Sequence, residues 1–378
     1  MIPLSNLKID FKKLKEIDKL MLFSMIALII FGIINIYLAS SSQYGTLFLT
    51  RQSLWFLVCL VALYFVVAID YSLLKAYTPL IYWASIALLI LTMFIGTDIN
   101  GARGWIRLGP LSFQSSELAK IATIMMLGKT LEEMDGTINE LRNFAILAFY
   151  AIVPAIFIVI QPDMGMTMVL FFMVVGIFFI AGLDIKIIGG GLLSLLVAIV
   201  IVWNSGLIQD YQKTRITSFM NPEADSSESG YHLRQSLISI GNGGLFGLQG
   251  NSLVQESTNS YAAQYVPEVQ TDFIFASIAE QWGIAGAAVL FFLYGLLIYR
   301  MIVIARTAKD TFGSVICIGL VSYFLFALLQ NIGMTIGLMP ITGITLPLIS
   351  YGGTSLLTTV MSIGLILNIG MRRKKIYF

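Results

Sequence analysis

Long apolar stretches without charged residues recur along the whole chain, and they limit what it can fold into. Each is about long enough to cross ~30 Å of hydrocarbon as a helix. Only 12% of the 378 residues are charged, 57% are hydrophobic, and the mean hydropathy is +0.86. This composition excludes a soluble enzyme, a nucleic-acid-binding protein and a disordered scaffold. The nine predicted spans are Leu20–Leu38, Leu54–Ile69, Ala76–Ile95, Phe144–Ile160, Met164–Leu183, Ile187–Trp203, Phe273–Tyr299, Phe312–Leu338 and Ile344–Ile369.

Ser115–Leu131 is a weaker, tenth candidate span, because Glu117 and Lys120 lie within it. Basic residues cluster at both ends of the chain, which predicts that both termini are cytoplasmic. Two ends on one side of a membrane require an even number of crossings. We therefore expect an all-α polytopic membrane protein with ten transmembrane helices, in which residues 1–378 form one domain. The connection Asn204–Asp272 then forms a large extracytoplasmic loop between helices seven and eight.

The usual signatures of metal and nucleotide chemistry are weak. Cys59 and Cys317 lie in separate apolar stretches and are expected to be small core residues. His232 has no histidine or cysteine near it in the sequence, so we predict no metal site there. Gly241–Gly250 is glycine-rich, but it follows no strand and no lysine closes it. A turn near the membrane surface is therefore favoured over a phosphate-binding loop.

Ionisable residues at membrane depth are costly and indicate a polar interior or a function. Five stand out in this chain: Glu117, Lys120, Asp163, Asp272 and Glu280. Glu117 and Lys120 are three positions apart, so they share a helix face and can pair. A structural ion pair and a functional one are equally compatible with that spacing.

Two arginines flank a tryptophan just before the weak tenth span. Arg103 and Arg107 lie on either side of Trp105, and a guanidinium group can bind two oxygens of a phosphate at once. The stretch alone fits simple anchoring at the membrane interface better than phosphate binding.

Two aspartates begin apolar stretches at the outer side of the predicted domain. Asp163 follows a proline, a position typical of a helix cap, and capping is the favoured interpretation. Asp272 is either a cap, which its local pattern favours, or a general base that takes a proton from a substrate hydroxyl. The segment Gly337–Thr354 predicts irregular backbone, which at membrane depth must be buried in protein or line a cavity. These features fit either an enzyme that acts on a lipid-linked substrate or a transporter.

Six motifs in order resemble the SEDS family (shape, elongation, division and sporulation) of bacterial peptidoglycan glycosyltransferases, and they cover nearly the whole chain. They are Asn100-Gly-Ala-Arg-Gly-Trp-Ile-Arg107, Phe113-Gln-Ser-Ser-Glu-Leu-Ala-Lys120, Gln161-Pro-Asp163, Gly230-Tyr-His-Leu-Arg-Gln-Ser236, Pro267-Glu-Val-Gln-Thr-Asp-Phe-Ile-Phe275 and Leu346-Pro-Leu-Ile-Ser-Tyr-Gly-Gly353. The resemblance implies polymerisation of lipid II on the outer face of the bacterial cytoplasmic membrane.

The resemblance also implies roles for single residues. Asp272 corresponds to the essential aspartate of the family, and this makes it the expected general base on the acceptor sugar. Lys120, with Arg103 or Arg107, is expected to stabilise the departing pyrophosphate. Glu117 is expected to orient Lys120 or to help bind a divalent cation such as magnesium or manganese. Gln235 and Ser350 lie in two of the matching motifs and are expected to bind substrate.

Within the family, the sequence is more similar to the elongation type, RodA, than to the division type, FtsW. The stretches that favour this are Asp210-Tyr-Gln-Lys-Thr-Arg215, Asn331-Ile-Gly-Met334 and Met339-Pro-Ile-Thr-Gly-Ile344. The resemblance implies a class B penicillin-binding protein, a transpeptidase, as partner within the elongation machinery. The alternatives are a lipid II flippase, a division or sporulation polymerase, and a non-catalytic scaffold.

Two segments depart from the family pattern. Val269-Gln270 stands where the family usually has a basic residue followed by histidine. The segment Asn251–Val266 is less typical of the family. These departures leave the substrate contacts of this loop open, whereas Asp272 itself matches. A flippase would favour paired repeats with broken helices in both halves. Broken backbone is expected chiefly near Pro340–Pro347, without a counterpart in the first half.

Overall fold

The computed structural model describes residues 13–99, 102–108, 111–135, 137–204, 228–250 and 260–373. Most of this part of the chain is helical. The long helices are α1 (Lys19–Tyr44), α2 (Leu47–Ala68), α3 (Tyr71–Ile95), α4 (Ser115–Glu133), α5 (Leu141–Ile160), α6 (Met164–Ile180), α7 (Ile185–Asn204), α8 (Glu228–Gly243), α9 (Ile274–Thr307), α10 (Thr311–Thr335) and α11 (Gly353–Met371). Short helical turns lie at Lys13–Glu16, Gly247–Gly250 and Tyr261–Tyr265.

Seven of the described helices are long and apolar enough to cross a membrane, which makes the chain a multi-pass membrane protein. They are α1, α2, α3, α5, α9, α10 and α11. The three other predicted spans correspond to α4, α6 and α7, which are helical as expected. Helix α4 is less apolar than the rest but packs against α3, α5 and α10. Most of its residues are buried, so its charged side chains must find partners inside the protein.

The first helix and the last one meet at the same face of the molecule. Arg300, near the end of α9, donates hydrogen bonds to both carboxylate oxygens of Asp18, which caps α1. Arg372, after α11, donates to Asp70, which caps α3, at 2.9 Å. Gly370 of α11 and Glu16 line one small pocket. An even number of crossings would bring the two ends together in this way.

The last predicted span, Ile344–Ile369, was placed too early in the chain. Helix α11 begins only at Gly353, because the preceding residues cannot adopt regular helical geometry. Pro347 lacks the backbone N–H that a helix needs, and Leu348 has a left-handed φ of 70°. The irregular backbone predicted for Gly337–Thr354 is therefore confirmed as far as residue 352.

A small sheet between α3 and α4 corrects the expectation of an all-α chain. Its strands are β1 (Thr97–Ile99), β2 (Ala102–Leu108) and β3 (Leu111–Gln114), paired antiparallel in the order β1-β2-β3. Trp105 lies opposite Gln114, and Ile106 lies opposite Phe113. Aromatic and β-branched residues favour such pairing, and the segment is too short for the hydrophobic pattern to reveal it.

The described parts of the segment Asn204–Asp272 contain helices that pack against the rest of the protein. Helix α8 packs along α9, and the turn after α8 is followed by the short helical turn Gly247–Gly250. Gly244 and Gly247 have positive φ angles of 52° and 71°, which glycine adopts without strain. The turn predicted within Gly241–Gly250 is confirmed. The motif Asp210–Arg215 lies outside the described residues.

Candidate active site

A cavity of about 430 Å³ opens where the sheet meets the ends of several helices. Trp105 of β2 and Gln114 of β3 line one side, and the irregular segment Thr342–Thr345 lines another. Four carboxylates from distant parts of the chain face this space: Glu117, Asp163, Glu268 and Asp272. The cavity is therefore polar and acidic although apolar helices surround it.

Asp272 lies in a tight turn that precedes α9. The carbonyl oxygen of Glu268 accepts the backbone N–H groups of Thr271, Asp272 and Phe273 at 3.1, 3.1 and 3.3 Å. Glu268 itself has a left-handed φ of 51°. The N-cap position of α9 is Phe273, whose side chain makes no capping hydrogen bond. Asp272 therefore lies one residue before the cap position that the sequence suggested for it.

Three groups from other parts of the chain hold the main chain of this turn. The N–H of Tyr351 donates to the carbonyl of Gln270 at 2.8 Å, and the Ser350 hydroxyl donates to that of Thr271 at 2.6 Å. The Asn331 amide donates to the carbonyl of Asp272 at 2.9 Å. Three successive carbonyls are therefore fixed, and the Asp272 side chain lines the cavity.

Asn331 connects the Asp272 turn to a cavity wall. Its amide nitrogen donates to the carbonyl of Ile344 at 2.8 Å as well as to that of Asp272. The side chain is fully buried on α10. Gly343, one residue before Ile344, has φ 73°, and a Cβ there would lie 3.6 Å from Oδ2 of Asp272. The cavity wall and the main chain of Asp272 are thus bonded to the same residue.

Glu117 and Lys120 form a buried ion pair behind the cavity. Nζ of Lys120 lies 2.9 Å from Oε2 of Glu117, and the hydroxyl of Thr358 donates to the same oxygen at 2.8 Å. The Lys120 ammonium also lies 3.6 Å from the ring centre of Tyr323. Glu117 and Tyr323 line the cavity, whereas Lys120 is 1% exposed and lies behind them. The predicted pairing of Glu117 with Lys120 is confirmed.

Asp163 caps α6, as its position after a proline predicted. Its Oδ1 accepts the N–H of Met166 at 2.9 Å, and its Oδ2 accepts the side-chain amide of Gln114 at 2.8 Å. The preceding Gln161 is buried and donates to the carbonyl of Leu89 at 2.8 Å. This corner of the cavity therefore joins α3, β3 and α6.

The two arginines share one strand. Side chains of a strand alternate between its faces, so Trp105 and Arg107 of β2 lie on the same face. Trp105 lines the cavity, and the Arg107 side chain is exposed. The side chain of Arg103 lies outside the described residues. Arg107 is thus available to an anionic group beside the cavity, although it does not line it.

The other expected substrate-binding residues, Gln235 and Ser350, are not among the described residues that line the cavity. Gln235, on α8, accepts a hydrogen bond from the hydroxyl of Tyr261. The Ser350 hydroxyl accepts the N–H of Leu346 at 2.8 Å and donates to the carbonyl of Thr271. Both contacts of Ser350 connect parts of the protein, so the structure places this hydroxyl in the framework that holds Asp272.

Glu280, on α9, has an architectural partner that the sequence did not indicate. It is 1% exposed and accepts the Ser260 hydroxyl and the N–H groups of Tyr261 and Ala262 at 2.6, 2.7 and 2.9 Å. These bonds satisfy the start of the helical turn Tyr261–Tyr265. Glu280 therefore ties the segment before Asp272 to α9.

No group of three or more histidine, cysteine or acidic side chains within the described ranges could hold a metal ion. Cys59 and Cys317 are buried, free thiols, as expected for core residues. His232 contacts the ring of Phe273, with centroids 5.9 Å apart. A divalent cation would therefore need ligands from a substrate as well as from the cavity carboxylates.

Comparisons with known proteins agree over nearly the whole chain. Residues 18–375 match the FtsW/RodA/SpoVE family model, described as cell cycle protein. Stage V sporulation protein E of Bacillus subtilis is 35% identical over 362 residues, which cover 93% of this chain and 96% of that protein. Peptidoglycan glycosyltransferase MrdB of Escherichia coli is 33% identical over 359 residues and 95% of each chain.

A solved structure extends the agreement to the fold. It belongs to work on the structural coordination of polymerization and crosslinking by a peptidoglycan synthase complex. The matching chain is 29% identical and gives a TM-score of 0.82. The match covers 94% of this chain and 98% of the other.

Proposed function

Because the chain belongs to the FtsW/RodA/SpoVE family of cell cycle proteins, we propose that it is a peptidoglycan glycosyltransferase. Its substrate is lipid II, and its product is a glycan strand on the outer face of the bacterial cytoplasmic membrane. The observation that carries the proposal is the Asp272 turn, whose main chain is anchored at three carbonyls while its carboxylate lines the polar cavity.

Asp272 acts as the general base. The 4-hydroxyl oxygen of the acceptor sugar attacks the anomeric carbon of the donor, and its proton passes to the Asp272 carboxylate. The bond between that carbon and the lipid pyrophosphate breaks on the opposite face, so the anomeric centre inverts. The pyrophosphate leaves with the bonding electrons. A carboxylate at a half-buried cavity wall suits this role, since it is reachable by substrate and partly shielded from water.

Positive charge for the departing pyrophosphate comes chiefly from the arginines of β2. Arg107 is exposed on the strand face that carries Trp105 into the cavity, and Arg103 shares that strand. A guanidinium fork binds phosphate oxygens in pairs. Lys120 is held by Glu117, so it contributes through the pair and not as a mobile group.

A divalent cation fits the cavity only if substrate oxygens coordinate it together with the protein carboxylates. Magnesium in proteins usually takes one or two carboxylates together with substrate phosphates, and keeps several waters. Asp163 already caps a helix, Glu117 is paired with Lys120, and Asp272 is the proposed base, so Glu268 is the lining carboxylate most suited to such an ion. Bound there, the ion would neutralise charge on the pyrophosphate.

The membrane arrangement that we propose has ten spans, with α4, α6 and α7 added to the seven apolar helices. Both termini then lie in the cytoplasm, and the segment between α7 and α9 lies on the outer side. Support comes from the shared face of the α1 start and the α11 end. Cysteines introduced at Ser227 and Ser5 test this: an impermeant thiol reagent on whole cells should label Ser227→Cys alone. Equal labelling, or labelling of Ser5→Cys alone, would contradict ten spans.

The partner that we propose is a class B penicillin-binding protein, which crosslinks the strands that this chain makes. The similarity to a chain of a peptidoglycan synthase complex supports a coupled assembly. The motifs shared with RodA favour a role in elongation and rod shape, although the sporulation protein is as similar as MrdB. Co-purification of a single-span transpeptidase, and faster polymerisation in its presence, would support this assignment. Equal rates with and without that transpeptidase would contradict the activation.

The activity itself is tested with the purified chain and lipid II in detergent, alone and with its transpeptidase. Glycan strands that a muramidase degrades are the expected product. Absence of strands in both mixtures, from protein that still binds lipid II, would overturn the assignment as a polymerase.

A further inference from the structure

Helix α8 has its large apolar residues on the outside. The face that it buries carries mainly small residues, namely Gly230, Ser236, Ser239 and Gly243, together with Leu233. Its exposed face and the following turn carry Tyr231, Leu237, Ile238, Leu245 and Phe246. A helix on a water-exposed surface would show the reverse pattern. Arg234 is also exposed, near the start of α8, where a long side chain can reach the membrane surface.

The turn after α8 fills a break in α9. Gly283 has φ 62° and ψ −158°, so the helix is interrupted there. The N–H groups of Ile284 and Ala285 lose their partners within the helix at such a break. They donate instead to the carbonyls of Gly244 and Leu245, both at 3.1 Å. In hydrocarbon every backbone polar group needs a partner within the protein, and this arrangement provides it.

Glycines allow the close approach of the two segments. A Cβ at Gly243 would lie 1.9 Å from the carbonyl oxygen of Ala279, and one at Gly247 would lie 2.3 Å from that of Gln281. Small residues at the contact are typical of helices that pack within membranes. The glycine-rich stretch thus has a packing role, which the enzymatic mechanism does not use.

The depth of the turn follows from α1. Trp282, next to the break, donates to Asn35 at 3.0 Å, and Asn35 is about 24 Å along α1 from Lys19. We take the ion pair of Asp18 with Arg300 as the level of the opposite membrane boundary, because charged groups are costly within hydrocarbon. Burial raises the pKa of the Asp18 carboxyl, but the hydrogen bonds from Arg300 and Met21 outweigh it and hold the pKa below its usual range. Since the hydrocarbon core is about 30 Å thick, the turn lies inside it.

We propose that residues 230–250 form a re-entrant hairpin embedded in the outer leaflet, and that lipid acyl chains are the partner of its outward face. Leu245 and Phe246 are 64% and 68% exposed, and they continue the lipid-facing surface of α9 at Ile284, which is 63% exposed. The hairpin supports the outer half of α9, which begins two residues after Asp272. This segment is therefore part of the membrane domain and not an aqueous loop.

Nitroxide labels on the full-length protein in lipid nanodiscs test the proposal. Phe246→Cys and Leu237→Cys probe the hairpin. Phe292→Cys, exposed on α9 beyond the break, is the lipid reference, and Lys309→Cys, exposed between α9 and α10, is the water reference. The native Cys59 and Cys317 are buried, and the chain without introduced cysteines provides the blank. The accessibility of each label to oxygen and to a nickel chelate is measured.

The hairpin labels should be more accessible to oxygen than to the chelate, as at Phe292→Cys, with the reverse at Lys309→Cys. Chelate accessibility equal to that at Lys309→Cys would overturn the proposal in favour of an aqueous loop. Low accessibility to both probes would overturn it as well, because it would show that protein covers the surface. Two hairpin positions keep the test decisive if one variant fails to fold.

Discussion

Asp163 and Asp272 line the same cavity, and both lie close to the start of an apolar helix, yet the protein holds them differently. At Asp163 each carboxylate oxygen accepts a bond from the protein, one from Met166 and one from Gln114. At Asp272 the main chain is anchored, through Asn331 and the neighbouring turn. One side chain completes a helix end, and the other is positioned through its backbone.

The comparison distinguishes a carboxylate that stabilises the fold from one that we propose takes part in the reaction. An aspartate whose oxygens satisfy a helix end and a neighbouring amide is committed to the fold. An aspartate in a turn with three anchored carbonyls can present its carboxylate in a fixed place to a substrate. Glu117, the third carboxylate of the cavity, belongs with Asp163, because Lys120 and Thr358 both bind it.

The largest effect on the architectural side is expected for Lys120→Met. It leaves Glu117 buried without its counter-charge, and breaking one side of a buried pair typically costs about 3–5 kcal/mol. We expect a clear loss of thermal stability in detergent. The double variant Glu117→Gln with Lys120→Met should recover most of the loss, since neither charge remains. A stable single variant would contradict the assignment of Glu117 to the framework.

A smaller effect is expected for Asn331→Leu, which removes the bonds to the carbonyls of Asp272 and Ile344. Of the two lost bonds, the one to Asp272 positions the base, and its loss, ~1.5 kcal/mol, would lower kcat about tenfold and leave KM nearly unchanged. Gln330→Leu is the matched control: it removes the bond to the carbonyl of Pro340 in the same connection without touching Asp272. Equal kcat losses in the two variants would indicate general loosening instead of positioning.

The smallest effect is expected for Asp163→Asn. Asparagine caps a helix as well as aspartate, and the Gln114 amide can turn its oxygen toward the new donor. Stability should change by less than about 1 kcal/mol and polymerisation should stay near the wild-type rate. Thermal unfolding and initial rates check this together. A large loss of rate with intact stability would indicate that Asp163 takes part in the reaction.

The sequence predicted those features of the structure that depend on residues close together in the chain. Apolar runs gave the helices, the proline before Asp163 indicated its cap, and the spacing of Glu117 and Lys120 indicated their pair. For Asp272 local pattern alone favoured a cap, and only the motif resemblance pointed to a base. In the structure Phe273, and not Asp272, occupies the cap position of α9.

The rest depends on contacts between distant residues. Asn331 and Ser350 reach the Asp272 turn across 59 and 79 positions, and Glu280 reaches Ser260 across 20. Nothing in the spacing of these residues reveals such partners. The break at Gly283 was hidden for a similar reason, since one glycine within an apolar run looks the same in a continuous helix.

Glycan formation by Asp272→Asn in detergent tests the central claim most directly. Asparagine nearly keeps the size of aspartate but cannot take the proton, and detergent removes any membrane across which transport could limit the rate. Removing a general base typically costs about 10²–10⁴-fold in rate. We predict that the variant unfolds at the wild-type temperature and makes no detectable strands, while Asp163→Asn polymerises beside it. Wild-type-level polymerisation by Asp272→Asn would contradict its role as the base.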